Sequence, residues 1–242
     1  MSEIVIGLSK SARGGYSFDD VAVAPHRRTR DPEAVDLSWR IDAYEFEMPI
    51  VAAPMDSIVS PETAIAMGQA GGLAVLNLEG LWTRYEDPAE AFAQIRAVDR
   101  GDAVELLQRL YARPIQPELI VARVQQMRDA GITVAASLSP QKTHDLFRDV
   151  IEAGVDVFVI RGTTVSAEHV SAAQEPLNLK QFIYELDVPV LVGGVATYQS
   201  ALHLMRAGAA GVLVGFGGGA SHTTTDVLGV RVPMATAVAD VA

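Results

Sequence analysis

The chain has 242 residues, 49% of them hydrophobic, with a mean hydropathy of +0.21; it can bury one sizeable core, and α/β barrels of this length form single domains. Its net charge of −11 and isoelectric point near 4.8 exclude nucleic-acid binding by phosphate neutralisation. The absence of cysteine removes disulfides, thiolate zinc sites and thiol nucleophiles together.

The first residues, MSEIVIGLSKSARGG, lack the apolar centre of a signal peptide. No uninterrupted apolar run approaches the roughly 18 residues of a membrane span. A cytoplasmic protein without a membrane or nucleic-acid partner is the expectation. Asp19 and Asp20 read as a turn and a cap. The cluster His26-Arg27-Arg28-Thr29-Arg30 follows Pro25 and is answered by Asp31 and Glu33, which makes it a solvated loop.

A buried strand is predicted at 49–53, ending beside Met55 and Asp56. Ser60-Pro61-Glu62 starts a helix that runs to about Ala70: Ser60 caps free amides, Pro61 suits the first helical position, and Glu62 complements the positive end of the dipole. A second strand follows at 72–77. The stretch 81–131 is the least strand-like; Pro88, Pro114 and Pro117 divide it into helices near 87–98, 101–111 and 117–129, read as helices laid over a barrel. Further strands are predicted at 132–137, 155–160, 189–193 and 211–215, and VPMATAVADVA enters a last helix. His144 and His203 fall within helical patterns and read as surface side chains. Ala-Gly recurs at 70–71, 130–131, 153–154 and 207–208, each time before an apolar run. A glycine there ends a helix in the left-handed region, and the run after it is a buried strand.

Apolar strands separated by helices imply a parallel sheet covered on both faces. Six strand–helix units are counted, whereas a closed (β/α)8 TIM barrel needs eight. Either the sheet is open and doubly wound, or the chain is a barrel truncated after about six units. The second is the expectation, because Ala242 stops inside an apolar helical pattern without a cap. The whole of 1–242 is read as one barrel domain.

Three stretches together resemble the IMP dehydrogenase/GMP reductase family: YSFDDVAVAP (16–25), PIVAAPMDSIVSPETAIAMGQAGGLAVLN (49–77), and VLVGGVAT (190–197) followed by GAAGVLVGFGGGASHTTT (208–225). The segment 81–131 is too short for a pair of CBS modules, so the resemblance is to the shortened IMP-dehydrogenase-like paralogues that lack them. It implies a purine-nucleotide oxidoreductase using NAD or NADP, with K+ as a candidate cation, assembled as a homo-oligomer (a tetramer by analogy). In the family a cysteine thiolate adds to C2 of the purine, and hydride moves to or from the nicotinamide.

Carried over residue by residue, the resemblance puts His222 where the nucleophilic cysteine stands and Thr224 where a threonine helps activate water. Ser221 lies beside the nucleophile's place, and Ala220 replaces a phosphate-binding serine. Met55 would touch the base. Gly193-Gly194 stands for the family's Gly-Asn, without the amide side chain. Arg161-Gly162-Thr163 stands where an aspartate pairs with the nicotinamide ribose. Arg161 either pairs with an anionic ligand or bridges to an acidic loop. Gly217-Gly218-Gly219 bares amides and carbonyls for a phosphate or monovalent cation, or simply closes a turn; Gly217 and Gly219 are the candidate K+ carbonyls. His222 is either a substitute nucleophile or acid/base group, or a neutral ligand-contacting side chain. A catalytically silent paralogue, which binds purine nucleotide or assembles with an active enzyme, is the alternative function.

Overall fold

A computed structural model describes residues 4–167, 177–218 and 223–242. Two antiparallel hairpins come first: β1 (Ile4–Gly7) with β2 (Lys10–Ala12), and β3 (Trp39–Ile41) with β4 (Tyr44–Phe46). The second turns through Asp42 and Ala43, with Asp42 at φ 51°, a left-handed conformation that aspartate tolerates in tight hairpins. Trp39 pairs with Phe46, and their rings stack at 4.7 Å.

The barrel part begins with β5 (Val51–Ala52), α1 (Pro61–Gln69) and β6 (Leu73–Asn77). The helical stretch follows as α2 (Ala89–Ala97), α3 (Ala103–Tyr111) and α4 (Pro117–Asp129). Then come β7 (Ala135–Leu138), α5 (Pro140–Glu152), β8 (Val157–Arg161), α6 (Leu179–Glu185), β9 (Val190–Val195), α7 (Tyr198–Arg206) and β10 (Gly211–Val214). Two further helices, α8 (Thr223–Leu228) and α9 (Met234–Val241), complete the described residues.

The six strands β5 to β10 form one sheet in sequence order, and every neighbouring pair is parallel. A doubly wound sheet would reverse its order at a switch point. This sheet never reverses, so it is six consecutive strand–helix units of a (β/α)8 barrel curled into an arc. Among the described residues no helix is long and apolar enough to cross a membrane.

Strand alternation divides the core. On β8, Phe158 and Ile160 face the helices and join Ile120, Val124, Met127, Val150 and Leu204. Val157 and Val159 face the barrel interior and join Val75, Ala135 and Leu191. The hairpin β3–β4 plugs the N-terminal end of that interior with Ile41 and Phe46, and Trp39 Nε1–H ties it to the Met48 carbonyl at 2.8 Å. The lead-in at Tyr16 is stitched to α9, its N–H donating to Thr236 Oγ1 at 2.7 Å. Ser17 and Asp20 form the expected local cap, the Ser17 N–H donating to the Asp20 carboxylate at 2.7 Å.

Helix α4 lies in the outer ring, between α1 and α5. Helices α2 and α3 make a satellite core from Ala91, Leu106 and Leu110 together with Leu81 of the segment after β6.

The helix ends explain the sequence punctuation. Ser60, Ser139 and Thr197 each accept a backbone N–H with the side-chain oxygen at the starts of α1, α5 and α7. Gly71, Gly131, Gly154 and Gly208 all take positive φ, between +72° and +105°. Strand β7 starts later than the predicted 132. The Val134 carbonyl accepts both Asp156 N–H and Val157 N–H, and its own N–H is taken by the Asp156 carboxylate at 2.8 Å. The regular ladder therefore begins at Ala135.

Gly131 isolates the backbone effect, because a Cβ there meets nothing within 4 Å while φ is +72°. Gly131→Ala is expected to destabilise the fold by about 1–2 kcal/mol. Gly101→Ala, also in open space but without positive φ, should stay within about 0.5 kcal/mol of wild type. Chemical denaturation of the two variants reads the difference.

Candidate functional site

The inward-facing side chains leave a cavity of about 650 Å3 along the inner face of the sheet. Trp39 and Ile41 of the hairpin form its floor, and Val75, Val159, Leu191 and Leu213 line its wall. Its rim is made by Arg161 at the end of β8 with Gly162 and Thr163 after it, by Gly194 of β9, and by Gly215, Phe216 and Gly217 after β10. These are the C-terminal ends of the strands, where sites of this fold gather.

The rim is knitted by backbone. Gly162 N–H donates to the Gly193 carbonyl at 2.9 Å, Gly194 N–H to the Gly162 carbonyl at 3.0 Å, and Val165 N–H to the Gly194 carbonyl at 3.1 Å. The strand ends approach so closely that side chains do not fit. A Cβ on Gly193 would lie 2.5 Å from the Leu213 side chain, and one on Gly194 would lie 2.5 Å from the Gly215 carbonyl. Gly217 is buried at φ +65°, and its carbonyl accepts the Thr225 hydroxyl at 2.9 Å. One lone pair of that carbonyl is thereby used before any cation arrives.

Arg161 stands at the next inward position after Val157 and Val159. It is exposed at the mouth, and its side chain has no hydrogen bond or ion pair with any described residue. The other charged residue lining the cavity, Arg40, is matched by Glu45 at 3.3 Å.

A second polar cluster lies on the neighbouring strand ends. The Asp56 carboxylate accepts the Tyr111 hydroxyl at 2.6 Å and the Leu81 N–H at 2.8 Å, and its other oxygen accepts Asn77 Nδ2–H at 3.3 Å. It leans on Gly80, where any Cβ would run into it. One carboxylate thus ties the loop after β5 to the loop after β6 and to the end of α3. Burial, then the hydrogen bond and negative charge of Asp56, push the Tyr111 hydroxyl well above its ordinary value. Nearby Arg84, whose guanidinium lies 5.8 Å from the Tyr111 ring, opposes that shift.

Of the residues singled out by sequence, the structure brings together Arg161, Gly162, Thr163, Gly193, Gly194 and Gly217 around one rim. Thr224 is half-buried on α8. Met55 lies on the loop after β5, 42% exposed and outside the cavity lining. His222, Ser221 and Gly219 lie outside the described residues. His144 and His203 are exposed on α5 and α7. Among the described residues no cluster of three or more His, Asp or Glu could hold a metal ion. Sequence reading missed the hairpin floor and the Asp56 cluster. The floor had a signal in the alternating Trp39, Ile41 and Tyr44, Phe46; the cluster joins residues 55 positions apart and had none.

Tyr111→Phe removes one hydrogen bond to a carboxylate and is expected to lower stability by about 1–2 kcal/mol. Because the folded-state hydroxyl is raised above its unfolded value, its contribution is complete below about pH 10 and fades as pH rises beyond that. The stability gap between wild type and variant should therefore be steady at neutral pH and narrow above about pH 10. Denaturant titrations at several pH values measure it.

The profile of the IMP dehydrogenase/GMP reductase domain matches residues 15–242. An uncharacterized oxidoreductase of Mycolicibacterium smegmatis is 50% identical over 99% of this chain, and one of Mycobacterium tuberculosis is 49% identical over the same share. An inosine-5'-monophosphate dehydrogenase of Methanocaldococcus jannaschii is 25% identical over 96% of the chain. The chain spans 65% of the length of the mycobacterial relatives and 64% of the archaeal one. The crystal structure of an IMP dehydrogenase/GMP reductase-like protein from Corynebacterium glutamicum superimposes with a TM-score of 0.92 at 47% identity, covering 99% of this chain and 64% of that one. With the strand order, the glycine-built rim and the profile match in agreement, the chain belongs to the IMP dehydrogenase/GMP reductase family.

Proposed function

We propose that this chain is a purine-nucleotide oxidoreductase linked to NAD or NADP, its cavity receiving the purine and the nicotinamide. The cavity carries the reading: about 650 Å3, apolar in its walls, and bounded at the strand ends by glycine backbone that lets a flat ring approach closely. The M. jannaschii relative, an IMP dehydrogenase, supports the purine class.

The rim residues fit a nicotinamide nucleotide from the donor side. Arg161 and Thr163 offer N–H and O–H groups to a carboxamide or phosphate oxygen, and Val159 and Phe216 line the same space. A nicotinamide held there would supply hydride acceptance from, or donation to, C2 of the purine. Gly193 and Gly194 would admit the base against the backbone, and Met55, on the loop after β5 beside the cavity, and Ser221 are the further candidate nucleotide contacts. His222 would act in the nucleophile's place: a neutral imidazole nitrogen would add to C2, the C2 hydrogen would leave as hydride to an oxidised nicotinamide, and water held by Thr224 would displace the imidazole, with one proton released overall. The carbonyls of Gly217 and Gly219 are the candidate ligands for K+. Self-association into a homo-oligomer completes the reading.

The absence of cysteine favours a second reading, a silent paralogue that binds purine nucleotide or assembles with an active enzyme. A thiolate is both a strong nucleophile and a good leaving group, and no other side chain here combines the two.

Two assays test the pair of readings: NADH formation from IMP, and NADPH consumption with GMP. The oxidoreductase reading expects turnover in one of them, reduced about 10²- to 10⁴-fold by His222→Ala. The silent reading expects no turnover but calorimetric binding of IMP, GMP or XMP, with His222→Cys restoring IMP oxidation. Neither turnover nor heat with any of the three contradicts the oxidoreductase reading and leaves the silent paralogue only its assembly role.

A further inference from the structure

The charge lining the cavity runs against that of the chain. The protein carries a net charge of −11, yet the only charged residues among the described lining are two arginines, and no carboxylate is among that lining. Arg40 at the floor is matched by Glu45. Arg161 at the rim has no partner among the described residues, and Thr163 lines the cavity beside it. The positions inward of Arg161 on its own strand, Val157 and Val159, are fully apolar and buried. A guanidinium at the lip of an apolar cleft presents several N–H donors in a fixed plane, suited to a bidentate grip on an oxyanion.

We propose that Arg161 is the anion anchor of this cavity: it holds a phosphate or carboxylate of the bound ligand at the C-terminal end of β8, while the ligand's ring lies against Val159 and Leu213. It is a specificity-determining residue, since its N–H groups can only donate and its charge favours an acidic ligand over the neutral parent. The inference rests on the reading of this cavity as the ligand site.

Two ligand pairs that differ in one anionic group test it by calorimetry: IMP against inosine for a phosphate, and nicotinic acid against nicotinamide for a carboxylate. The proteins are wild type, Arg161→Gln and Arg161→Lys. Wild type is expected to favour the acidic member of at least one pair. Arg161→Gln should weaken that member about ten- to a hundredfold and the neutral member by much less, so that the preference between the two shrinks, with Arg161→Lys in between. Arg161→Gln should also melt with wild type, since the arginine has no described partner to lose. If the nicotinate pair depends on Arg161 while IMP and inosine do not bind, the anchor stands and the purine reading falls. If IMP and inosine bind equally well to wild type and to Arg161→Gln, and nicotinic acid is likewise indifferent, the purine reading stands and the anchor is overturned. Absence of binding by all four ligands overturns both.

Discussion

At residues 193–194 the backbone of β9 comes so near its neighbours that hydrogen is the largest substituent that fits. Leu213 closes on one side, and the Gly215 carbonyl, itself held in the turn after β10, closes on the other. On the β8 side the same segment exchanges backbone hydrogen bonds with Gly162 and Val165. Three strand ends are thereby locked together with no side chain between them. The space that side chains would have filled is left open as the mouth of the cavity, and the lock fixes where Arg161 emerges.

The barrel interior is built from the opposite end. The hairpin β3–β4 inserts Ile41 and Phe46 beneath Val75, Val157 and Leu191, and Asp156 stitches that end with bonds to Val134 N–H and, at 3.4 Å, from the Tyr44 hydroxyl. Stability is thus concentrated at the N-terminal end of the strands, while the C-terminal end carries small residues, a cation without a described partner and the Asp56 cluster. That division is the usual one for this architecture, in which loops at one end vary while the other end holds the fold. Asp56 gives the mouth its rigidity on the β5–β6 side, because one carboxylate there satisfies donors from three segments.

Much of this was legible in local patterns. The Ala-Gly punctuation marks four helix ends because left-handed φ is a single-residue demand that glycine alone meets freely. Ser60-Pro61 fixes the start of α1 for a similarly local reason. The alternation in Val157-Phe158-Val159-Ile160-Arg161 separates the two faces of β8 and already aims Arg161 inward. What failed to show depends on distance. The alternation of Trp39, Ile41 and Tyr44, Phe46 marks the hairpin floor only faintly, because each strand has three residues and the turn at Asp42 and Ala43 divides the pattern. The bond from Tyr111 to Asp56 joins two loops through the fold, and neither residue carries a local mark of it. The seam at Gly193-Gly194 was visible only as a departure from a family pattern; its steric cause lies on β10 and in the turn after it.

The central claim is that the open space at the strand ends is where ligand binds. Trp39 lines that space and Trp82 does not, and the chain has no other tryptophan. Two indole N–H resonances in a proton–nitrogen NMR spectrum therefore report on the site and on a remote control. Titration with IMP should move the Trp39 resonance, assigned by Trp39→Phe, and leave the Trp82 resonance in place. A stationary Trp39 signal at saturating nucleotide, or a shift confined to Trp82, would contradict the account.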